Sequence, residues 1–161
     1  MKNLKIWSMI IIMLMALPLM VSCSNDDGED PYEKYKEKLI GTWKYKEIKP
    51  RSALSKNREW NPVVGNLVLQ INKDGSCSLS GAGSYKYEYD ENKMTNLVIG
   101  DYKTWHVGTS GEDGFDCCIW LYYTNNKNKS SFDSFDVKFI SNTEILLESP
   151  FSTDNDYKLC R

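Results

Sequence analysis

The single histidine of this chain, His106, is the first side chain to consider for chemistry. A catalytic histidine needs a nucleophile or a carboxylate partner, and a metal site usually needs several strong ligands. His106 instead follows Trp105 in a predicted strand, which favours a structural role. The sequence contains no serine-hydrolase, phosphate-loop or zincin motif, and its acidic residues follow no pairing pattern. We therefore expect neither an enzyme, nor a metal ion, nor any other cofactor.

Cysteine is the second residue type with chemical potential. Besides Cys23 the chain has Cys77, Cys117, Cys118 and Cys160, and an even number would be typical of disulfides in an exported protein. Cys117 and Cys118 point to opposite faces of a predicted strand, and bridging needs Cα atoms within about 7 Å. The pattern leaves open whether any disulfide forms. No C-x-x-C motif indicates metal binding or redox chemistry.

The polar stretch of residues 49–65 contains a solitary tryptophan, Trp60, with Arg58 close by. Loops of this length are uncommon inside compact domains and are often functional. Trp60 either contacts a ligand, with Arg58 supplying a polar contact, or holds its own loop against the folded body. The sequence leaves both interpretations open.

One short helix is predicted ahead of the strands. Asp30 and Pro31 are typical of a helix start, and apolar side chains at positions 32, 35 and 39 give residues 32–39 one apolar face. Gly41 ends this helix, and Trp43 opens the first strand. The segment is therefore a helix leading directly into a strand.

The rest of the chain alternates apolar and polar residues in short segments separated by polar turns. In the first strand this alternation places Glu47 on the face of Trp43 and Ile48 on the other face. Residues 73–76 are typical of a hairpin turn, and residues 115–124 are apolar on both faces, which predicts a central or outwardly covered strand. Roughly nine or ten strands in a single all-β sandwich or barrel are expected.

The N-terminal region resembles an export signal. Lys2 and Lys5 precede an apolar run over residues 6–19, which is too short to span a bilayer comfortably because about 20 apolar residues are needed. Such a run is typical of a secretory signal. The small residue before Cys23 resembles the lipobox of bacterial lipoproteins, which implies a signal peptide over residues 1–22 and acylation of Cys23. The other interpretation is an ordinary signal peptide with an incidental cysteine.

Residues 23–30 form an acidic tether. One interpretation is that the tether is a solvated spacer. The other is an export signal, because the tether resembles the acidic segment that follows the acylated cysteine in Gram-negative lipoproteins exported to the cell surface. The chain has 20 basic and 22 acidic residues. Lys2, Lys5 and four acidic residues of the tether lie before residue 31, which leaves 18 of each sign, so residues 31–161 are neutral overall. Interspersed charges in a neutral body argue against a nucleic-acid partner. The acidic residues of the tether are Asp26, Asp27, Glu29 and Asp30.

The helix with Gly41-Thr42-Trp43, the long loop after the first strand, the antiparallel meander and the terminal basic residue together resemble the lipocalin and calycin group. They resemble in particular the lipocalin-like domains of bacterial secreted lipoproteins, over nearly all of residues 31–161. The resemblance implies an antiparallel barrel of about eight strands. It also implies that Trp43 plugs one end of the barrel with Arg161 across its ring, a contact that contributes about 0.5–2 kcal/mol.

In such a barrel the interior is either filled by side chains or holds one small ligand, and the composition leaves both open. The resemblance places residues 49–65 over the open end, so Trp60, Arg58, Tyr85 and Tyr87 are the predicted ligand contacts. Alternation predicts an inward set of Trp43, Leu67, Leu69, Ile71, Leu79, Tyr85, Tyr87, Ile119, Leu121, Phe135, Val137, Phe139, Ile145, Leu147 and Leu159.

These features lead to two functional expectations. The first is a monomeric outer-membrane lipoprotein, at the periplasmic face or the cell surface, anchored to the membrane at Cys23 and binding a small hydrophobic or amphipathic ligand at the barrel mouth. The alternative is a cell-surface interaction or glycan-contact module with a filled barrel, using Trp60 and Trp105 as exposed aromatic residues.

Overall fold

Alternating apolar residues form short β-strands in the computed structural model, which describes residues 30–50, 59–87, 90–125, 127–151 and 155–161. For Tyr87 and residues 90–92 only the backbone is described. Within these ranges the chain has one short helix, and no helix there has the length and apolar character needed to cross a membrane. The elements are α1 (Glu33–Leu39), β1 (Gly41–Lys49), β2 (Asn61–Pro62), β3 (Val64–Gly65), β4 (Val68–Ile71), β5 (Cys77–Ser80), β6 (Gly83–Tyr87), β7 (Asp90–Asn96), β8 (Tyr102–Gly108), β9 (Cys117–Thr124), β10 (Ser130–Ser141), β11 (Glu144–Glu148) and β12 (Asp156–Cys160).

Eight of these strands form a nearly closed antiparallel barrel, which confirms the predicted all-β barrel fold. Its strand order is β5-β4-β1-β12-β11-β10-β9-β8, and the short β2 pairs with β1 beside this path. The seam between β5 and β8 is joined by one bridge from Ser76 to Thr104. The predicted turn at residues 73–76 connects β4 and β5, where Asp74 accepts hydrogen bonds from the backbone N–H and the hydroxyl of Ser76.

The base of the barrel is sealed by Trp43. This residue is fully buried, and its indole N–H donates to the carbonyl of Leu39, the last residue of α1, at 2.7 Å. The guanidinium carbon of Arg161 lies 4.3 Å from the centre of its ring, and Arg161 also donates to the carbonyls of Lys38 and Ile40. The structure therefore brings Trp43 and Arg161 together as the resemblance implied.

Above this plug the inward aliphatic side chains of the barrel are almost completely buried and pack into one hydrophobic core cluster. Of the predicted inward set, Leu79, Tyr85 and Phe139 are only half-buried. The remaining members, apart from Tyr87, are buried: Trp43, Leu67, Leu69, Ile71, Ile119, Leu121, Phe135, Val137, Ile145, Leu147 and Leu159.

Strand β1 departs from simple alternation. Its register against β12 shifts between Tyr45 and Glu47, so that Tyr45 and Ile48 are both buried while Glu47 pairs with Lys158 at 2.6 Å. A β-bulge adds one residue to a strand and reverses the side-chain phase beyond it. The prediction that Glu47 shares the face of Trp43 was therefore wrong.

Tyr85 packs against the core, as predicted for an inward residue, although its strand β6 belongs to a separate three-stranded sheet of order β3-β6-β7 rather than to the barrel wall. The prediction that Trp105 is exposed was wrong. Trp105 is 6% exposed, and its indole N–H donates to the carbonyl of Asn72 at 2.9 Å, so it covers the seam between β5 and β8 instead of facing solvent. The sheet that carries Tyr85 and the burial of Trp105 both depend on how distant strands pair, which alternation within one strand does not encode.

Candidate functional site

A cavity of about 380 Å³ lies at the end of the barrel opposite to Arg161. Tyr102 begins β8 and Tyr157 is near the start of β12, whereas the last residues of β12 lead to Arg161 at the base. The far ends of these strands and the segment after β7 therefore surround the cavity. Its lining consists of Val98, Ile99, Gly100, Tyr102, Tyr123, Asp133, Phe135, Asn155 and Tyr157.

Asp133 is the acidic residue of this lining. Its carboxylate accepts a hydrogen bond from the hydroxyl of Tyr102 at 2.6 Å. Tyr102 is 1% exposed, and its ring meets that of Tyr123 edge-on at 6.0 Å. Burial raises the pKa of Tyr102, and Tyr45 and Asp133 raise it further, so the hydroxyl stays protonated and serves as the donor.

A second aromatic group borders the cavity from the β1 and β12 side. Tyr157 packs edge-on against Tyr45 at 5.3 Å and against Phe135 at 5.9 Å. Burial is the main cause that raises the pKa of Tyr45, followed by Tyr157 and Asp133. The tyrosine rings therefore supply an uncharged, weakly polar surface around the Asp133 carboxylate.

Trp60 and Tyr85, the two predicted ligand contacts whose side chains are described, are not part of this cavity lining. Trp60 is half-buried, with the Lys158 ammonium 4.3 Å and the Lys49 ammonium 5.9 Å from its ring centre. Because Tyr157 and Leu159 are buried in the interior, their neighbour Lys158 faces the outside of the wall, and Trp60 lies there with it. This position agrees with the interpretation that Trp60 holds its own loop against the folded body.

The other predicted contacts are placed as follows. Tyr85 packs half-buried against the core and is not part of the cavity lining. The side chain of Tyr87 lies outside the described residues, as do Arg58 and the proposed lipidation residue Cys23.

The tyrosines and Asp133 of the cavity were missed by sequence reasoning, although one signal was present. Asp133 stands two residues before Phe135 and four before Val137, so period-two alternation places it on the inward face of β10. A charged residue on an otherwise apolar inward face indicates a polar contact inside the barrel. Applied to β10, that rule would have pointed to Asp133.

The described residues contain no group of three or more His, Cys, Asp or Glu side chains arranged to hold a metal ion. His106 is exposed and meets the ring of Tyr122 edge-on at 5.8 Å. Cys77, Cys117, Cys118 and Cys160 are free thiols, the first three of them buried. Burial raises the pKa of Cys117 to about 12 and that of Cys77 to about 11, so both remain protonated and poorly nucleophilic.

Aromatic side chains also gather on the outer wall of β8, β9 and β10. Tyr122 contacts both His106 and Phe132, and Phe132 is 51% exposed. Trp120 lies beside them over Gly108, where even a β-carbon would come within 2.4 Å of the indole ring. Phe132 and His106 of this group are exposed, whereas Trp120 and Tyr122 are half-buried like Trp60.

Comparisons of this chain with protein-family models, with curated proteins and with solved structures found no match, so no family is assigned to it.

Proposed function

We propose that this protein is a lipocalin-like lipoprotein, anchored to a bacterial outer membrane through Cys23, that binds one small amphipathic molecule at the mouth of its barrel. The observation that supports ligand binding is the cavity beside Asp133 at the open end, above a packed lower half. Ligand pockets are usually about 300–1,000 Å³ in volume. A cavity of about 380 Å³ is therefore suited to a small ligand rather than to a long lipid.

The chemistry of the lining supports an amphipathic ligand. Ile99, Phe135 and the tyrosine rings provide apolar area, while Asp133 and Asn155 provide polar atoms. Ligand sites in proteins combine a mostly apolar lining with a few polar groups that set orientation and specificity. A purely hydrocarbon ligand would offer no donor to Oδ1 of Asp133, whose Oδ2 already accepts from Tyr102.

The proposal of a lipid anchor is supported by the sequence alone. The basic residues Lys2 and Lys5, the apolar run at 6–19 and the small residue before Cys23 together resemble a lipoprotein signal. Acyl chains contribute about 0.8 kcal/mol per buried methylene, so several chains would hold the protein at the membrane permanently. The acidic tether would then separate the barrel from the lipid headgroups.

Ligand binding is tested with N-phenylnaphthylamine, a probe whose fluorescence rises in apolar surroundings. We expect saturable binding to the full chain, and we expect Asn155→Trp to weaken it about tenfold or more because the indole would occupy the mouth of the cavity. Asp113→Trp is the matched control, since Asp113 is exposed in the turn between β8 and β9 and lines neither this cavity nor the cavity of about 550 Å³ beside Arg161 at the base. Equal affinities for the two variants, or no saturable binding by the unaltered protein, would contradict the proposed cavity.

The anchor is tested by fractionation of bacterial cells expressing the full chain. We expect the unaltered protein in the membrane fraction with incorporated radiolabelled palmitate, and Cys23→Ala in the soluble fraction or unprocessed and unlabelled. Ser24→Ala is the neighbouring control and should behave like the unaltered protein. Palmitate incorporation that persists in Cys23→Ala would show that another residue carries the lipid.

A second candidate function is supported by the outer-wall aromatic group of His106, Trp120, Tyr122 and Phe132. Aromatic rings that stay exposed are typical of surfaces that contact other molecules, which fits the glycan-contact alternative. A glycan array discriminates between the two functions. Glycan binding that is unchanged in Asn155→Trp but lost in Phe132→Ala would favour the outer wall over the cavity.

A further inference from the structure

We infer that the ligand of the barrel cavity carries a cationic amino group, which pairs with the carboxylate of Asp133. This inference rests on the proposed function and specifies the chemical class of ligand for the same cavity. It follows from the hydrogen bonding of Asp133, from the charges around it and from the rings that surround it.

The carboxylate of Asp133 retains unused acceptor capacity. Within the described part of the chain, its hydrogen-bond donor is the Tyr102 hydroxyl, which contacts Oδ2 at 2.6 Å. An ionised carboxylate offers about four lone-pair sites on its two oxygens. One donor therefore leaves Oδ1 available to a group that enters the cavity.

The charge of the cavity favours a cation. Among the described lining residues Asp133 is ionisable as an acid, and none is lysine, arginine or histidine. Attraction between opposite charges is stronger in partly desolvated surroundings than in water. A bound ammonium group would neutralise Asp133, whereas a ligand carboxylate would be repelled by it.

The aromatic residues favour the same class of ligand. Tyr102, Tyr123 and Tyr157 line the cavity together with Phe135. Ring faces of tyrosine and phenylalanine attract cations, and their apolar area accommodates the hydrocarbon part of an amine. Burial raises the pKa of Tyr102, so the phenol beside Asp133 stays neutral and adds no second negative charge to the cavity. A small aryl or alkyl amine satisfies both kinds of contact.

The test compares three molecules of similar size and shape: phenethylamine, phenethyl alcohol and phenylacetate. Each is titrated into the full chain at neutral pH, by calorimetry and by displacement of N-phenylnaphthylamine. We expect phenethylamine to bind about 10- to 100-fold more tightly than the alcohol, as expected for a charge-assisted hydrogen bond, and phenylacetate to bind most weakly.

The variant Asp133→Asn keeps the size of the side chain and an oxygen that can accept from Tyr102. We expect it to lose the same 10- to 100-fold in phenethylamine affinity, while its affinity for the alcohol changes by less than about threefold. Asp101→Asn is the matched control, because Asp101 is an exposed carboxylate paired with Lys103 at 2.7 Å and lies outside the cavity lining. Thermal unfolding of both variants checks that each is folded.

The contrary results are distinct for the two proposals. Equal affinities for amine and alcohol, or an equal loss of both in Asp133→Asn, would overturn the amine inference and leave Asp133 as a residue that only positions Tyr102. If N-phenylnaphthylamine binds but none of the three smaller probes does, the amine inference fails while the proposed cavity stands. If N-phenylnaphthylamine also fails to bind, the proposed ligand-binding function fails with it.

Discussion

Trp43→Ala is expected to lower the free energy of unfolding by about 3–5 kcal/mol, the usual cost of truncating a large buried aromatic side chain. The indole is fully buried at the base of the barrel, so its loss creates a void between α1 and the first strand. Truncation also removes the donor to the Leu39 carbonyl and the ring beneath the Arg161 guanidinium. Urea unfolding followed by circular dichroism measures the change.

Trp60→Ala is the matched control for this experiment. A cation lies 4.3 Å from the ring centre of each tryptophan, Arg161 over Trp43 and Lys158 over Trp60. Trp60, however, is only half-buried on the outer wall. We expect Trp60→Ala to cost about 1 kcal/mol, as expected for an exposed cation–ring contact with modest packing. Equal costs for the two variants would show that the cation contact, rather than burial, determines the stability of the base.

Gly81→Ala is expected to destabilise the protein by about 1–3 kcal/mol more than Gly75→Ala. Both glycines have similar backbone conformations, with φ of +79° and +83°, which L-residues rarely adopt. A β-carbon at position 81 would lie 2.3 Å from the carbonyl oxygen of Asn66, whereas one at position 75 would meet nothing within 4 Å. The difference between the variants therefore isolates steric overlap from backbone strain.

A methyl group at position 81 would disturb the contact between the segments that contain Asn66 and Ala82. Asn66 and Ala82 exchange hydrogen bonds, from the Asn66 N–H to the Ala82 carbonyl and from the Ala82 N–H to the Asn66 side chain. Gly75→Ala alone should cost about 1–2 kcal/mol, because alanine must adopt a left-handed conformation. The prediction is tested by urea midpoints at unchanged m-values, and equal midpoints for the two variants would mean that the backbone relaxes around the new methyl group.

Local sequence signals predicted much of the barrel correctly. The turn at residues 73–76 formed because Asp74 caps its own turn, which requires only neighbouring residues. The buried aliphatic residues of β4, β9, β11 and β12 follow the period-two pattern, since a strand turns successive side chains to opposite faces. Residues 115–124 were predicted to be central or covered, and β9 is indeed paired on both sides, with β8 and β10.

The errors occurred where distant segments decide the outcome. The bulge in β1 depends on its register against β12, more than a hundred residues away, and it moved Ile48 into the core and Glu47 to the outside. Trp105 was predicted to be exposed, but the incomplete pairing of β8 with β5 leaves a seam that its ring covers. The β6–β7 hairpin pairs with β3 in a separate sheet, so Tyr85 does not belong to the barrel wall as predicted.

By itself the sequence determined that this protein is all-β, that a helix leads into Trp43, and that each regular strand has an inward and an outward face. These properties follow from spacing within short segments. Only the tertiary structure decided where the cavity beside Asp133 lies and which residues line it, because Tyr102, Asp133 and Tyr157 come from three different strands. Barrel closure brings those strands together above a packed base. Local sequence patterns do not predict such contacts between distant strands.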